Sequence, residues 1–480
     1  MLRPLWRLHS TRAGALARLR LIAASAVAIA AVCLPLALAS AETLEDALIA
    51  AYLGNPQLLA QRQALRATDE GVSQARAGWR PTVQFTGSGG RLNQSQRSTF
   101  ATGGAPLTLT TNSDSTLNTE SLTLTQPLYL GGRVSAQIDS ADAQVEAGRA
   151  QLASTEATVL LQAATAFMDV LRDAEVLELN RSNEQVLRRQ LEAVRFRFSA
   201  GDALESDVAQ SEAALLGANA DRIQAESNLA ASRAAYLRAV GKAPENLTPQ
   251  QNLPPLPASE SEASAVAFRG NPDLLSAVFT ERAARRDIDA AASALWPSLS
   301  VEVDLSRNED QSAQGSSTRS AQVLARLSVP LYQSGAEYSQ VRQRKDTANQ
   351  RRLQVDQERA QVQQQVTQGW YALESARAQL ARRADQVRAA GIALDAITRQ
   401  AQYGQSSTLE VLTAQQNHLQ AQIALANARH DQFVAAYALR AAIGQLSVQA
   451  LGLNVRAYDP AAHYRQVRGQ LIGTTPKGEK

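Results

Sequence analysis

The chain has 480 residues, with 48 Lys and Arg against 45 Asp and Glu, four histidines and one cysteine. A single cysteine excludes a disulfide framework, and no basic patch with interleaved aromatics stands out, so nothing points to nucleic acid as a partner. The first residues say where the chain goes. Arg3, Arg7, Arg12, Arg18 and Arg20 come without an acid, residues 21–39 are apolar, and Ala39-Ser40-Ala41 follows. This is the layout of a secretory signal peptide over residues 1–41, cut between Ala41 and Glu42. A membrane anchor is the competing reading, and Pro35 with the small residues before Glu42 argues against it. Cys33 leaves with the leader, since Val32 stands where a lipoprotein signal needs a small residue. Without the five leader arginines, 43 basic residues face 45 acidic ones, so the mature chain is nearly neutral. It is also free of cysteine, and its stability must come from packing and assembly.

From Glu42 the chain is written twice. Gly54-Asn55-Pro56-Gln57-Leu58-Leu59 returns as Gly270-Asn271-Pro272-Asp273-Leu274-Leu275, and Pro81 as Pro297, both 216 positions on. Pro127-Leu128-Tyr129 returns as Pro330-Leu331-Tyr332, Gly201 as Gly404, Asp207-Val208 as Glu410-Val411 and Gly241 as Gly444, all 203 positions on. Landmarks that hold register over such distances mark an internal repeat, and the two halves fold alike. The first repeat is 42–241, a linker is 242–260, the second repeat is 261–444, and a C-terminal segment and tail occupy 445–480.

Each repeat opens with a helix, predicted as one piece over 42–78 and 261–295. A period-two segment follows. Thr82-Val83-Gln84-Phe85-Thr86 and Ser121-Leu122-Thr123-Leu124-Thr125 alternate in the first half. In the second, Leu299, Val301, Val303 and Leu305 share one face of a strand, and Val323, Ala325, Leu327 and Val329 share one face of the next. These are β-hairpins, 82–127 and 298–330. The polar Gly/Ser/Asn/Thr stretches between their strands, 87–118 and 307–319, are predicted as loops. Next come proline-free stretches rich in Ala, Gln, Leu, Arg and Glu, 134–198 and 336–402, which read as helices of roughly 100 Å. Gly201 and Gly404 turn the chain, and helices of roughly 60 Å run back to Gly241 and Gly444. The opening helix and the returning helix together match the long one and are expected to stack end to end beside it. Alanine-rich helices with few large side chains bury a narrow seam and leave wide polar faces. Helical periodicity alone leaves two readings open, a solid coiled-coil rod and a hollow wall wet on both sides.

The strands favour the wall. Strands of about 8–10 residues match a transmembrane β-span. Four strands in lipid would leave two open edges, each unpaired backbone group costing several kcal/mol. Closure takes at least about eight strands, so the chain must oligomerise; two copies give a barrel filled by side chains, three give twelve strands and room for a passage. With the leader, this points to a Gram-negative outer membrane, with the helices projecting into the periplasm.

Over essentially its whole mature length the chain resembles the TolC-type outer membrane efflux proteins. The resemblance is carried by Gly54-Asn55-Pro56, Ala163-Ala164-Thr165-Ala166-Phe167, the turn Arg197-Phe198-Ser199-Ala200-Gly201 with Asp207-Val208, and the turn Tyr403-Gly404 with Leu409-Glu410-Val411-Leu412. It implies a fold that is mainly α with transmembrane β: a long α-helical barrel of coiled coils plus two β-hairpins per chain, assembled as a trimeric twelve-stranded β-barrel. It implies a homotrimer working with a periplasmic adaptor (membrane fusion) protein and an inner-membrane transporter, ABC or proton-driven. Gly452-Leu453-Asn454, Tyr458-Asp459-Pro460 and His463-Tyr464 look like the protein-secreting (type I) branch, with the tail around the equator of the tube. Small-molecule efflux by the same fold is the alternative, and a periplasmic coiled-coil scaffold the remote one.

The resemblance also suggests site residues. Asp207 matches a family acid at the closed periplasmic aperture, and Glu410 its counterpart in the second half. The family's aromatic and arginine partners fall on Ala401 and Ser406, so the closing network must differ, with Arg197, Arg399 and Tyr403 as candidates. Three copies of Asp207 and Glu410 would make an acidic constriction; the plainer reading is that both are first-turn helix acids facing the helix dipole. Gly201, Leu204, Val208, Gly404, Leu409 and Val411 are the candidate adaptor-docking turns. Tyr129, Tyr332 and Trp296 are candidate membrane-interface aromatics. His418, His430 and His463 have no ligand or triad spacing and are expected at the surface. No catalytic, cofactor or metal site is expected, and energy for transport must come from a partner.

Overall fold

The computed structural model describes residues 42–249, 253–309 and 315–474. The expected signal peptide and cleavage site lie outside the described residues apart from Glu42 itself. Each expected opening helix is in fact two. Helix α1 (Leu44–Gly54) stops at Asn55 and α2 (Pro56–Ala77) starts on the next residue. A proline at the first helical position has no N–H to lose and biases its predecessor to extended backbone, and Asn55 is extended.

Strands β1 (Thr82–Thr102) and β2 (Ala105–Leu130) pair from Thr82↔Thr125 to Thr102↔Ala105. The expected loop 87–118 is therefore mostly strand. Its Ser, Thr, Gly and Asn composition reads as loop, but cross-strand side chains hold it: Ser95 with Asn112 at 2.7 Å and Arg91 with Asp114 at 2.9 Å. Only Gly103 and Gly104 turn, at φ 61° and 108°. That is the left-handed pair a two-residue hairpin requires.

Helix α3 (Arg133–Ser199) and helix α4 (Glu205–Val240) complete the first half. The second repeats the order: α5 (Glu260–Gly270), α6 (Pro272–Ala292), β3 (Ser298–Glu309), β4 (Ser317–Ser328), α7 (Ala336–Gln402) and α8 (Thr408–Ala442). Asn271 breaks α5 from α6 as Asn55 breaks α1 from α2. Helices α3 and α7 have 67 residues each, roughly 100 Å.

The four strands form one antiparallel sheet in the order β1-β2-β3-β4, with β1 and β4 as free edges of the chain. Val83, Leu124, Val303 and Val323 line up across it, as do Phe85, Leu122, Leu305 and Ala321. The opposite face carries Gln84, Thr123, Asp304 and Gln322 in register. One apolar and one polar face is the pattern of a wall between lipid and a wet lumen. Pro127 sits inside β2, at a register shift, where its missing N–H breaks the ladder.

The duplicated motif anchors both halves. Asn55 Nδ2 donates to the Ala239 carbonyl at the end of α4 (3.0 Å), and Asn271 Nδ2 donates to the Ala442 carbonyl at the end of α8 (2.9 Å). Each opening helix pair is thus tied to the end of the returning helix, which sets the end-to-end arrangement. Around the first tie lies the larger core, with Leu48, Leu160, Phe167, Tyr236 and Tyr437; the second surrounds Leu274, Val366, Leu439 and Ile443. The halves are unequal in burial. Helix α3 has twenty-five buried residues and α7, of the same length, has five.

The C-terminal segment returns to this equator. Leu446 and Val448 join the larger core, and the Tyr458 N–H donates to the Tyr52 hydroxyl (2.8 Å). The Arg62 guanidinium lies between the rings of Tyr52 and Tyr458, 4.6 and 5.1 Å from their centres. The short α9 (Ala462–Val467) lies on α2. There His463 Nδ1 is 3.1 Å from Asp69 Oδ2, and both residues are buried.

Candidate functional site

The end of the molecule farthest from the sheet is made by two turns. After α3, the Gly201 N–H donates to the Phe198 carbonyl and the Asp202 N–H to the Arg197 carbonyl. After α7, the Gly404 and Gln405 N–H groups donate to Ala401 and Gln400. Gly201 and Gly404 have φ of 83° and 74°, the left-handed region that glycine reaches without strain. Each helix that follows is capped by an acid at its third residue. The Leu204 N–H donates to Asp207 Oδ2 at 3.1 Å. The Ser407 N–H donates to Glu410 Oε2 at 2.7 Å, and the Glu410 N–H returns the bond to Ser407 Oγ, a complete capping box. Within one chain the plainer reading of Asp207 and Glu410 therefore holds: they are cap acids.

Arg197 and Arg399 face no carboxylate within ion-pair distance among the described residues; Arg399 Nε donates only to the Asp395 carbonyl of its own helix. Tyr403 is 81% exposed. The candidate closing residues are thus not brought together within a protomer. Leu204 and Leu409 are exposed at the tip, and Val208 and Val411 beside them are half-buried. Leu409 lines two crevices. One, about 340 Å³, lies against Leu187 of α3 and Ala214 of α4; the other, about 810 Å³, lies between α7 and α8 and includes Glu410 and Ile397.

Above the tip, polar links tie α8 of the second repeat to α3 of the first. Gln415 Nε2 donates to Asn183 Oδ1 (3.2 Å), and Arg429 pairs with Glu175 (2.8 Å). His430 bridges Asp431 on its own helix and Asp169 on α3, each at 3.0 Å. The Asp169 contact lies off the hydrogen-bond direction of Nε2, so it acts as a charge pair. Arg172 holds Asp169 and Asp173 beside it. Burial pulls the His430 imidazole down, but its two carboxylate neighbours outweigh this and hold it above its ordinary value. For Asp169, burial pushes up, and His430 and Arg172 together bring it below the usual carboxylate range. The surface position expected for His430 and His463 is thus corrected: both are buried beside carboxylates, His463 bonded to Asp69 of α2, and His430 bonded to its neighbour Asp431 and paired in charge with Asp169 of α3. Adjacent His430-Asp431 was the only local signal for the first cluster.

At the helix end of the sheet, Tyr129 lies in β2, Trp296 just before β3 and Tyr332 just after β4, all exposed. Trp79 joins them. Gly131, at φ 63°, lets the chain pass where a side chain would meet the Ser293 carbonyl and Trp296 Cβ. Among the described residues no cluster of His, Cys, Asp and Glu could hold a metal, and no helix is long and apolar enough to cross a membrane.

The family-level sequence description "Outer membrane efflux protein" matches residues 48–242 and 265–445, the two repeats in turn. This chain belongs to the outer membrane efflux protein family. The outer membrane efflux protein BepC of Brucella suis biovar 1 is 34% identical over 442 residues, covering 92% of this chain and 94% of that protein. The outer membrane protein TolC of Vibrio cholerae is 26% identical, covering 85% and 92%. The Campylobacter jejuni CmeC outer membrane channel superposes with a TM-score of 0.75 at 14% identity, covering 89% of each chain. The architecture is therefore that of TolC-family channels, helical barrel plus β-barrel. The chain is an outer membrane efflux channel with its helical part in the periplasm, not an enzyme.

Proposed function

We propose that three copies of this chain form the passive outer duct of a tripartite exporter, docked through an adaptor to an inner-membrane transporter. One observation carries the reading. Helix α7 has five buried residues along roughly 100 Å, while β1 and β4 are free edges at the membrane end. A neighbour that covers α7 also pairs β4 with its own β1, and three such contacts close twelve strands. Tyr129, Trp296 and Tyr332 then form an aromatic girdle at the periplasmic interface. The turns at Gly201 and Gly404, with Leu204, Val208, Leu409 and Val411, are the adaptor's docking surface, and the crevices behind Leu409 suit apolar side chains. Asp207 and Glu410, already caps, ring the aperture in three copies. In planar bilayers, Asp207→Ala/Glu410→Ala should reduce cation preference; unchanged selectivity would remove the acidic constriction from the proposal.

For cargo, the docked tail with Gly452-Leu453-Asn454 and His463-Tyr464 supports protein secretion. The efflux designation of the relative at 34% identity supports small-molecule export as the second reading. A deletion strain decides between them. Loss of a secreted protein with unchanged drug tolerance supports the first, and drug sensitivity with intact secretion supports the second. A purified chain that never forms a heat-modifiable trimer in outer membranes would overturn both.

A further inference from the structure

We infer that the β1–β2 ribbon of each chain folds inward and meets its two copies over the outer mouth, closing the barrel with an apolar cap; this rests on the trimeric duct proposed above. The sheet is uneven. β3 last pairs with β2 at Asn118↔Glu309, whereas β1 and β2 continue from Gly90↔Leu117 to Thr102↔Ala105. That free two-stranded ribbon is roughly 40 Å long at about 3.3 Å per residue. The second hairpin has no counterpart among the described residues: β3 and β4 have 12 residues each, and only seven residues separate them.

The polarity of the two faces inverts where the ribbon leaves the sheet. In the sheet, Val83, Phe85, Leu122 and Leu124 occupy the lipid face, and Gln84, Thr86, Ser121 and Thr123 the lumen face. Strand alternation keeps the residues of each face together along the ribbon. On the ribbon, the lipid-side face becomes Arg91, Asn93, Arg97, Asn112 and Asp114, and the lumen-side face carries Leu92, Phe100, Leu107, Leu109 and Leu117. Phe100, Leu107 and Leu109 cluster beside the Gly103-Gly104 turn and are 54%, 65% and 56% exposed. A polar outward face suits water. An exposed apolar cluster at the tip needs an occupant, and the same cluster of two other copies lies across the mouth.

Reach and flexibility fit that occupant. A twelve-stranded barrel with strands about 4.8 Å apart and tilted about 40° has a radius of roughly 12 Å, well within the ribbon's length. Gly87, Gly89 and Gly90 stand at its base, and a Cβ at Gly90 would meet nothing within 4 Å. Glycine inside a strand weakens it and leaves it free to bend. The copies that meet at the mouth are those the β1–β4 seams already hold together, so no second partner is required.

Two readouts test the cap in whole cells. Benzoylphenylalanine replacing Phe100 is photoactivated, and the products are resolved on denaturing gels. Products at multiples of the chain mass are expected. A lipopolysaccharide adduct, or no adduct although unheated trimers are present, would overturn the cap and leave the duct standing; absence of trimers would overturn both. In the second readout, Ser300→Cys places a thiol on the lumen face of β3, in an otherwise cysteine-free mature chain. A long polyethylene-glycol maleimide is added outside. Phe100→Ser/Leu107→Ser/Leu109→Ser should speed labelling about tenfold, the factor that about 1.4 kcal/mol of lost closure produces. Replacing residues 91–116 by Asn-Gly, which keeps a two-residue turn, should do the same and guards against misfolding of the first variant. Equal labelling rates in all three backgrounds, with trimers intact, would rule the cap out.

Discussion

Replacing the asparagine of the duplicated Gly-Asn-Pro motif tests whether it is a helix cap or a tie between helices. Asn55 is buried, donates to the Ala239 carbonyl at 3.0 Å and accepts from the Gln57 N–H at 2.9 Å. Asn55→Ala removes both. The lost N-cap costs about 1 kcal/mol, and the buried carbonyl left without a donor costs about 1–3 kcal/mol more, so the sum is about 2–4 kcal/mol. For a cooperative unit the size of one repeat, that lowers Tm by roughly 5–15 °C. Asn55→Asp is the sharper variant. Aspartate caps helices as well as asparagine does, so a pure cap would leave stability unchanged. Here it would place a carboxylate oxygen against the Ala239 carbonyl with no donor between them, and should cost at least as much as alanine. Asn271, donating to Ala442 at 2.9 Å and accepting from Asp273 and Leu274, should behave in the same way. The assay is thermal unfolding of purified protein, followed by circular dichroism and by loss of the unheated oligomer band. An Asn55→Asp protein as stable as the parent would refute the tie and leave only a cap.

Three further outcomes follow from the same geometry. Since the folded protein holds His430 above its ordinary value, protonation favours the fold; that contribution is complete below the unfolded value near about 6.5 and is lost as pH rises through the folded value. The stability difference between wild type and His430→Gln, from denaturant titration, should therefore shrink as pH rises through neutrality; a difference that grows would contradict the clasp. His463→Ala leaves Asp69 buried without its partner, which should cost about 3–5 kcal/mol locally and expose the segment after residue 445 to limited proteolysis. Gly241→Ala and Gly444→Ala both force alanine to positive φ, 88° and 74°, at about 1–2 kcal/mol. Only at 444 would the new Cβ also stand 2.3 Å from a backbone oxygen, that of Gly270, so Gly444→Ala should be clearly the more damaging when the two are unfolded side by side.

Much of the architecture could be read from the residues because it rests on long-range repetition. The proline-free stretch at 336–402 forms α7 over those same residues, and 134–198 falls within α3. Glycine landmarks turned the chain where expected, since no other residue reaches positive φ so cheaply. The misses share a different cause. Asn55 and Asn271 each stand between a glycine and a proline, a local break signal that a one-piece helix passes over, and the tie each makes to a carbonyl 184 or 171 residues away leaves no local trace. The ribbon at 87–118 has loop composition, and its strands exist because each side supplies the other's partners. His430 is placed by Asp169 across a repeat boundary. The proposed aperture at Asp207 and Glu410 needs more than one protomer, so a single chain shows only their capping roles.

The bare flank of α7 has a genetic consequence. In the proposed trimer every subunit is a neighbour's missing wall, so a defective copy that still folds will enter complexes with sound ones. With equal expression and random mixing, only about one assembly in eight would be free of the defect. A mutant that assembles but cannot conduct should then be dominant when co-expressed, whereas one that cannot join the trimer should be recessive.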